Sequence, residues 1–156
     1  DKAVKLFEKF GIFTKAELES REEILYETYA KTINIEALTM INMASKQILP
    51  AVIKYTKTLA DTVVAVREAG AAADVQADLL KEASTLLEEA KKALEVLKRE
   101  DTKAASMPQG KEQAFYYKDA VKEAMTALRT PIDALEMIVD KEAWPLPAYG
   151  DLMFEV

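Results

Sequence analysis

Apolar positions recur along most of this chain at intervals of three and four residues, the spacing that lines one face of a helix. Val4, Phe7 and Phe10 open the pattern, and Gly11 follows where a left-handed C-cap residue belongs, so a short helix is expected to stop there. Thr14 and Glu17 stand at capping-box spacing, with Phe13 and Leu18 at the positions of a hydrophobic staple, and together they predict a second helix start. From it Leu18, Leu25, Tyr29 and Ile33 form a narrow stripe, while Glu19, Glu22, Glu23 and Glu27 spread around the rest of the axis.

Beyond Asn34 the apolar face broadens. Leu38, Ile41, Ile48, Val52, Tyr55, Leu59, Val63 and Val66 share one stripe, widened by Ala37, Met40, Ala44 and Ala51. Pro50 falls inside it, and proline removes a backbone donor and crowds the preceding turn, so a kink near residues 46 to 50 is expected. Gly70 reads as a C-cap and Asp74 as the next N-cap, which turns the chain back on itself. Val75, Leu79, Ala83, Leu86, Ala90, Leu94 and Leu97 then line a third segment, with Lys81, Glu88, Lys92, Glu95 and Arg99 off that face. Periodicity weakens from Glu100 to Gly110, where Met107-Pro108-Gln109-Gly110 supplies breakers, and this stretch is expected to be the main loop. A last segment aligns Tyr117, Val121, Ala124, Leu128, Ile132, Leu135 and Val139, with a bend or restart expected near Thr130 because Pro131 interrupts it.

Helices over about 35 to 69, 75 to 99 and 111 to 140 have similar spans and can pack antiparallel. The expectation is an all-α fold: an antiparallel three-helix bundle (35–140) with an N-terminal helical extension (1–34) and an apolar C-terminal docking tail (141–156), one domain overall. Composition supports this. Among 156 residues, 50% are hydrophobic and 31% charged, enough to bury a core, and only 4 Gly and 5 Pro leave few interruptions for a fold of many short strands. The net charge of −6, with basic residues scattered among acidic ones, argues against a nucleic-acid surface. The most hydrophobic run, Val63 to Val66, is closed by Asp61 and Arg67, far short of the ~20 apolar residues a membrane span needs. Asp1-Lys2-Ala3 has neither an initiator Met nor the regions of a signal peptide, and reads as the start of a segment cut from a longer chain.

Candidate chemistry is sparse. The chain has neither Cys nor His, which excludes thiolate and imidazole catalysis, Cys/His zinc sites and the Glu-x-x-His ligands of di-iron bundles. Gly110-Lys111 lacks the upstream Gly, the following Ser or Thr and the strand of a phosphate loop. Glu22, Glu23 and Glu27, or Glu88 and Glu89, could offer carboxylates to Mg²⁺, but such spacings read as a solvated helix face. Phe115, Tyr116 and Tyr117 read as core or rim rather than as a stacking platform, and the six Met are dispersed rather than gathered along a groove. No catalytic, cofactor or metal residue is assigned. The tail differs: Trp144, Leu146, Tyr149, Leu152 and Phe154, with Met153, are too apolar for a free end, and Pro145 and Pro147 lower the entropy cost of docking it. It either folds over its own bundle or inserts into another subunit or domain as an anchor.

Several stretches carry a resemblance: Leu6-Phe7-Glu8-Lys9 through Phe13-Thr14, Glu17-Leu18-Glu19-Ser20-Arg21, Ile35-Glu36-Ala37-Leu38-Thr39-Met40, Ile48-Leu49-Pro50-Ala51, and Trp144-Pro145 with Tyr149-Gly150-Asp151-Leu152. In this order they resemble the C-terminal region of type III glutamine synthetases over nearly the whole chain. The resemblance implies a large cytoplasmic bacterial enzyme that joins ammonia to glutamate using ATP and Mg²⁺, built of stacked hexameric rings. None of the family's nucleotide, metal or glutamate motifs is present here, so none of its site residues can be carried over. The implied role is a non-catalytic helical segment whose partners are the catalytic domain and other subunits of the same enzyme. A free-standing helical protein-interaction module is the alternative, and a small carboxylate-dependent metalloenzyme ranks behind both.

Overall fold

The computed structural model describes residues 2–147 and 149–154, with the Tyr149 side chain outside the description. The described residues are helical almost throughout and include no strand. Helix α1 (Lys2–Lys9) buries none of its residues and ends at Gly11, whose φ is +65°. There the Gly11 N–H donates to the Glu8 carbonyl and the Ile12 N–H to the Phe7 carbonyl, both at 3.0 Å, the bond pair of a Schellman cap. Helix α2 (Lys15–Met43) begins with the capping box the sequence predicts: the Thr14 N–H donates to the Glu17 carboxylate at 2.7 Å, and the Glu17 N–H to the Thr14 hydroxyl at 3.3 Å. The Thr14 N–H and then the Thr14 hydroxyl, both donating to the Glu17 carboxylate, hold that carboxyl below its ordinary pKa.

α2 runs through residues 34 and 35 without a break, so the helix expected from about residue 35 starts twenty residues earlier, at Lys15. What changes near residue 34 is burial. α2 buries nothing before Ala30, then Ala30, Ile33 and Ala37. Leu25 and Leu38, placed on the apolar stripe by spacing, face solvent instead, Leu25 at 69% exposure.

A π turn over Ala44–Ile48 joins α2 to α3 (Leu49–Glu68), and its closing bond runs from the Leu49 N–H to the Ala44 carbonyl. Pro50 explains the local geometry. Its ring would press on the carbonyl four residues back in a regular helix, and a turn widened by one residue relieves that contact. The interruption expected at residues 46 to 50 therefore takes the form of a π turn within a continuous rod. α3 ends at Gly70, with φ +83° and the same Schellman pair, Gly70 to Arg67 at 3.0 Å and Ala71 to Val66 at 3.1 Å.

Helix α4 (Asp74–Ala105) is N-capped by Ala73, not Asp74; Asp74 is the first helical residue, where its charge faces the positive end of the helix dipole. α4 also continues through most of the stretch expected to be loop, leaving only Ser106–Gly110 as the connection. Asp101 and Ala104 are buried there, continuing the Ala83, Ala90, Leu94, Leu97 stripe by one and two more turns. A second π turn (Tyr117–Val121) links α5 (Lys111–Tyr116) to α6 (Lys122–Ile138). Pro131 lies buried inside α6 without the expected restart, and all seven positions from Tyr117 to Val139 assigned to the core face are buried. Leu128, Ile132 and Leu135 of the same helix are buried as well, and the apolar area enclosed outweighs the one lost backbone bond.

Two long-range bonds give the relative directions. Asn34 of α2 bonds Asp101 near the end of α4, and Tyr55 of α3 bonds the Ile138 carbonyl at the end of α6. The α2–α3 rod and α4 thus run in opposite directions, the α5–α6 rod runs parallel to the first, and α4 lies against both α3 and α6. Leu94, Leu97, Leu128, Leu135, Val52 and Val121 are the largest fully enclosed side chains.

Replacing Leu97 by Ala removes enclosed volume between rods and should lower unfolding free energy by about 2–5 kcal/mol. Replacing Val75, 71% exposed on the same helix, should change it by less than about 0.5 kcal/mol. Urea unfolding followed by circular dichroism measures both.

Candidate docking site

The tail leaves α6 at Val139, whose φ of −78° and ψ of 138° are extended. Asp140 organises the exit: its carboxylate accepts from the Glu142 N–H at 2.7 Å, and its carbonyl from the N–H groups of Ala143 at 3.0 Å and Trp144 at 2.9 Å. This turn lays Trp144 and Leu146 against the core. Glu142, Ala143 and Pro145 form one wall of a groove whose other wall is Lys46, Gln47, Pro50, Ala51 and Lys54. The indole Nε1–H of Trp144 is shut off from solvent without a hydrogen-bond partner among the described residues, so the ring contributes apolar area and no polar bond.

Past Pro147 the chain changes character. Helix α7 (Tyr149–Phe154) is held to the turn by a 2.8 Å ion pair from Lys141 to Asp151, which raises the Lys141 pKa. Leu152, Met153 and Phe154 project away, at 65%, 71% and 79% exposure. The five docking candidates therefore separate. Trp144 and Leu146 lie on the chain's own bundle, Leu152 and Phe154 stand in solvent, and the Tyr149 side chain lies outside the described residues.

At the other end of the bundle Leu25, Tyr26, Tyr29, Ala114, Phe115 and Lys118 line an apolar cleft of about 270 Å³. Tyr26 and Phe115 meet with ring centroids 6.3 Å apart, and the ammonium groups of Lys111 and Lys118 sit 6.0 Å and 5.5 Å from the Phe115 centroid. The Tyr26 hydroxyl donates to Glu22 at 2.8 Å. Of the three aromatics read as core or rim, Tyr117 is enclosed, Tyr116 is partly buried and Phe115 forms a cleft wall.

Sequence reasoning missed a polar node near this cleft. The Asn34 amide donates to the Asp101 carboxylate at 3.0 Å, and Asp101 is only 5% exposed. Burial pushes the Asp101 carboxyl above its ordinary pKa, an effect the Asn34 bond partly offsets. Tyr117 is raised by burial and then by the Asp101 charge. Buried Gln113 donates to the Ala104 carbonyl at 3.0 Å and to the Met107 carbonyl at 3.3 Å, closing the open C-terminus of α4. The signal was present: Asp101 lies four residues past Leu97 and Ala104 seven, on the stripe already traced. Of the other carboxylates considered, Glu22 accepts from the Tyr26 hydroxyl, Glu27 pairs with Lys31 and Glu88 with Lys92. Among the described residues no group of three or more Asp or Glu is gathered to hold a metal ion. No described helix is long and apolar enough to cross a membrane.

Residues 1–67 match the family model described as the glutamine synthetase C-terminal domain. The chain is similar to a glutamine synthetase from Butyrivibrio fibrisolvens, 34% identical over 158 residues covering 100% of this chain and 23% of the relative. It is 31% identical over 153 residues to one from Bacteroides fragilis (strain YCH46), covering 92% of this chain and 20% of that protein. It is 30% identical over 164 residues to a type-3 glutamine synthetase from Dictyostelium discoideum, covering 99% of this chain and 22% of that protein. The chain thus spans between a fifth and a quarter of the length of these relatives.

The Asp101 pKa gives a signed pH prediction. A carboxyl whose folded pKa is raised favours the folded state while protonated, below its unfolded pKa near 3.8, and loses that contribution as pH rises through the folded value. Asp101→Asn keeps an acceptor for Asn34 without the buried charge. It should match or exceed the parent sequence in stability at pH 7, and the difference should shrink toward zero at about pH 3. Asp101→Ala strands the Asn34 amide and should cost about 1–3 kcal/mol at both values. Thermal unfolding across that pH range compares the three.

Proposed function

We propose that this chain, similar over 92–100% of its length to glutamine synthetases and matched over residues 1–67 by the model described as the glutamine synthetase C-terminal domain, is a non-catalytic helical segment of a type III glutamine synthetase that supports subunit packing and oligomer assembly. In this reading the whole protein is a cytoplasmic ligase joining ammonia to glutamate with ATP and Mg²⁺. The nucleotide, metal and glutamate sites lie outside this segment. The residues here do not suit those groups: the chain has no imidazole, and its Glu27 and Glu88 carboxylates lie along helix faces paired with lysines four residues away.

The observation that carries the proposal is the placement of apolar surface. The core is closed by the three rods, yet Leu6, Phe10, Ile12, Ile24 and Leu25 at one end and Leu152, Met153 and Phe154 at the other remain exposed. Other large apolar side chains, Ile35, Leu38, Ile53, Val64 and Met137 among them, are exposed along the rods, and it is the clusters at the two ends that support contact surfaces. We assign residues 1–34 to contact with the catalytic part of the enzyme, 35–140 to the scaffold, and 141–156 to docking. Within the docking tail Trp144 and Leu146 anchor the segment to its own bundle, and Leu152 and Phe154 engage another subunit.

The anchor and the docking residues respond to different measurements. Trp144→Ala should destabilise the bundle by about 2–3 kcal/mol, less than a fully buried ring, and Trp144→Phe by less than about 1 kcal/mol. Leu152→Ala with Phe154→Ala should leave thermal unfolding of the chain unchanged within about 0.5 kcal/mol. In the full-length protein the same pair should weaken assembly, read by analytical ultracentrifugation. Native material recognised through this segment should have a subunit far larger than 17.4 kDa and form glutamine in an ATP-dependent assay. A small inactive protein would instead make it a free-standing interaction module, and unchanged assembly would remove the docking role of the tail.

A further inference from the structure

Three polar side chains of the bundle end in atoms without a protein partner, and all three line one pocket. Asn34 of α2, Gln113 of α5 and Tyr117 of the second π turn surround a cavity of about 160 Å³ beside the connection that follows α4. Gln113 and Tyr117 are only 8% and 2% exposed. Gln113 gives both amide hydrogens to the carbonyls of Ala104 and Met107, which can only accept, so its Oε1 is left without a donor. Asn34 gives one amide hydrogen to the Asp101 carboxylate. Against the burial that raises Tyr117, the same amide offers the phenol oxygen an N–H. Asn34 Oδ1 is therefore left free as well, and the Tyr117 O–H has no acceptor among the described residues. None of these atoms is sealed off, because the unpartnered side-chain atoms fully shut from solvent are Ser45 Oγ and Trp144 Nε1.

We propose that this pocket binds the primary carboxamide group of a small molecule. Such a group carries two N–H donors and one carbonyl acceptor. It complements two acceptor oxygens, Asn34 Oδ1 and Gln113 Oε1, and one donor, the Tyr117 O–H. A carboxylate of the same shape has acceptors only, and would set its charge against both oxygens and against Asp101 behind Asn34. Size limits the ligand further. Pockets for drug-sized molecules run to roughly 300–1,000 Å³, so a cavity of about 160 Å³ admits an amide with few carbons. Glu27 and Lys31 at the mouth pair with each other and take no part. The exposed apolar side chains of residues 1–34 that face the catalytic part, Leu6 to Leu25, do not line this pocket, so both surfaces can be occupied together. The inference stands on the pocket and is independent of the assembly role.

The side-chain amide signals of Asn34 and Gln113 in a nitrogen–proton correlation spectrum of the 156-residue chain report occupancy directly. The chain is titrated with propionamide, with propionate, which has the same shape and no N–H, and with N,N-dimethylpropionamide, which keeps the carbonyl alone. Propionamide should shift both signals saturably with a Kd of ~1–10 mM, in the range open to so small a ligand. The other two should bind at least about tenfold more weakly. Tyr117→Phe keeps the ring, removes the donor and should weaken propionamide about three- to tenfold. Ala105→Leu, at an exposed position of the pocket wall, should close the mouth and abolish the shifts without altering the circular dichroism of the chain. Shifts that never saturate would leave a hydrated pocket only and overturn the proposal, as would equal binding of propionate or of the dimethyl amide. Saturable shifts undiminished in both variants would put the ligand elsewhere and overturn it too.

Discussion

The fold depends on α4 presenting an apolar side along almost its whole length to two neighbours at once. Ala83, Ala90, Leu94, Leu97 and Ala104 are enclosed along that side, and α3 and α6 both pack against this helix. The alternation of size matters. The alanines let neighbouring backbones approach, and the two leucines fill the space between rods at mid-helix, each buried side chain contributing about 1.5–3 kcal/mol of transfer free energy. Without that doubly used face neither the α2–α3 rod nor the α5–α6 rod has an apolar surface wide enough to close a core alone. The two prolines are tolerated for the same reason. Pro50 follows a widened turn and Pro131 is packed into the core, so tertiary contact rather than local propensity decides that both rods continue.

The polar node terminates that apolar face. Asp101 follows the leucines on the stripe and would leave a buried carboxylate unsatisfied without Asn34 from α2, while Gln113 from α5 closes the carbonyls at the end of α4. A pair of this kind contributes little net stability, because desolvation of the charge opposes the bond it makes. Its effect is positional: Asp101 finds its donor in only one alignment of α2 against α4. That alignment also places Tyr26 and Tyr29 across from Phe115, and so shapes the apolar cleft.

The two ends of the bundle carry different surfaces from the same economy of packing. At the end of α6 the Asp140 turn spends Trp144 and Leu146 on the chain's own core, and a six-residue helix remains with no core left to cover. At the opposite end none of the first fifteen residues of α2 is buried, although α1 and α5 both contact this helix. Both ends leave large apolar side chains exposed, Ile24 and Leu25 at one and Leu152, Met153 and Phe154 at the other. The local ion pairs, Lys15–Glu19, Lys57–Asp61, Lys91–Glu95 and Arg129–Asp133 among them, keep the intervening surfaces solvated and contribute little else.

Features governed by a few neighbouring residues were legible from the sequence. The Thr14–Glu17 box and the glycine caps at Gly11 and Gly70 rest on bonds within five residues, and the Tyr117-to-Val139 stripe on helical spacing alone; all four are present as the residues dictate. The family resemblance was likewise carried by short ordered stretches. What the sequence could not determine depended on residues far apart. Glu100 to Ala105 looks like a loop until Asn34 and Gln113 arrive from other helices, and Leu25 and Leu38 look like core until the reach of the neighbouring rods is known. The tail shows the division most clearly. Its composition marked it as unusually apolar, but only the tertiary structure decided that Trp144 and Leu146 are covered by their own bundle and that Leu152 and Phe154 are not, because position along the rods, and not hydrophobicity, limits what a tail can reach.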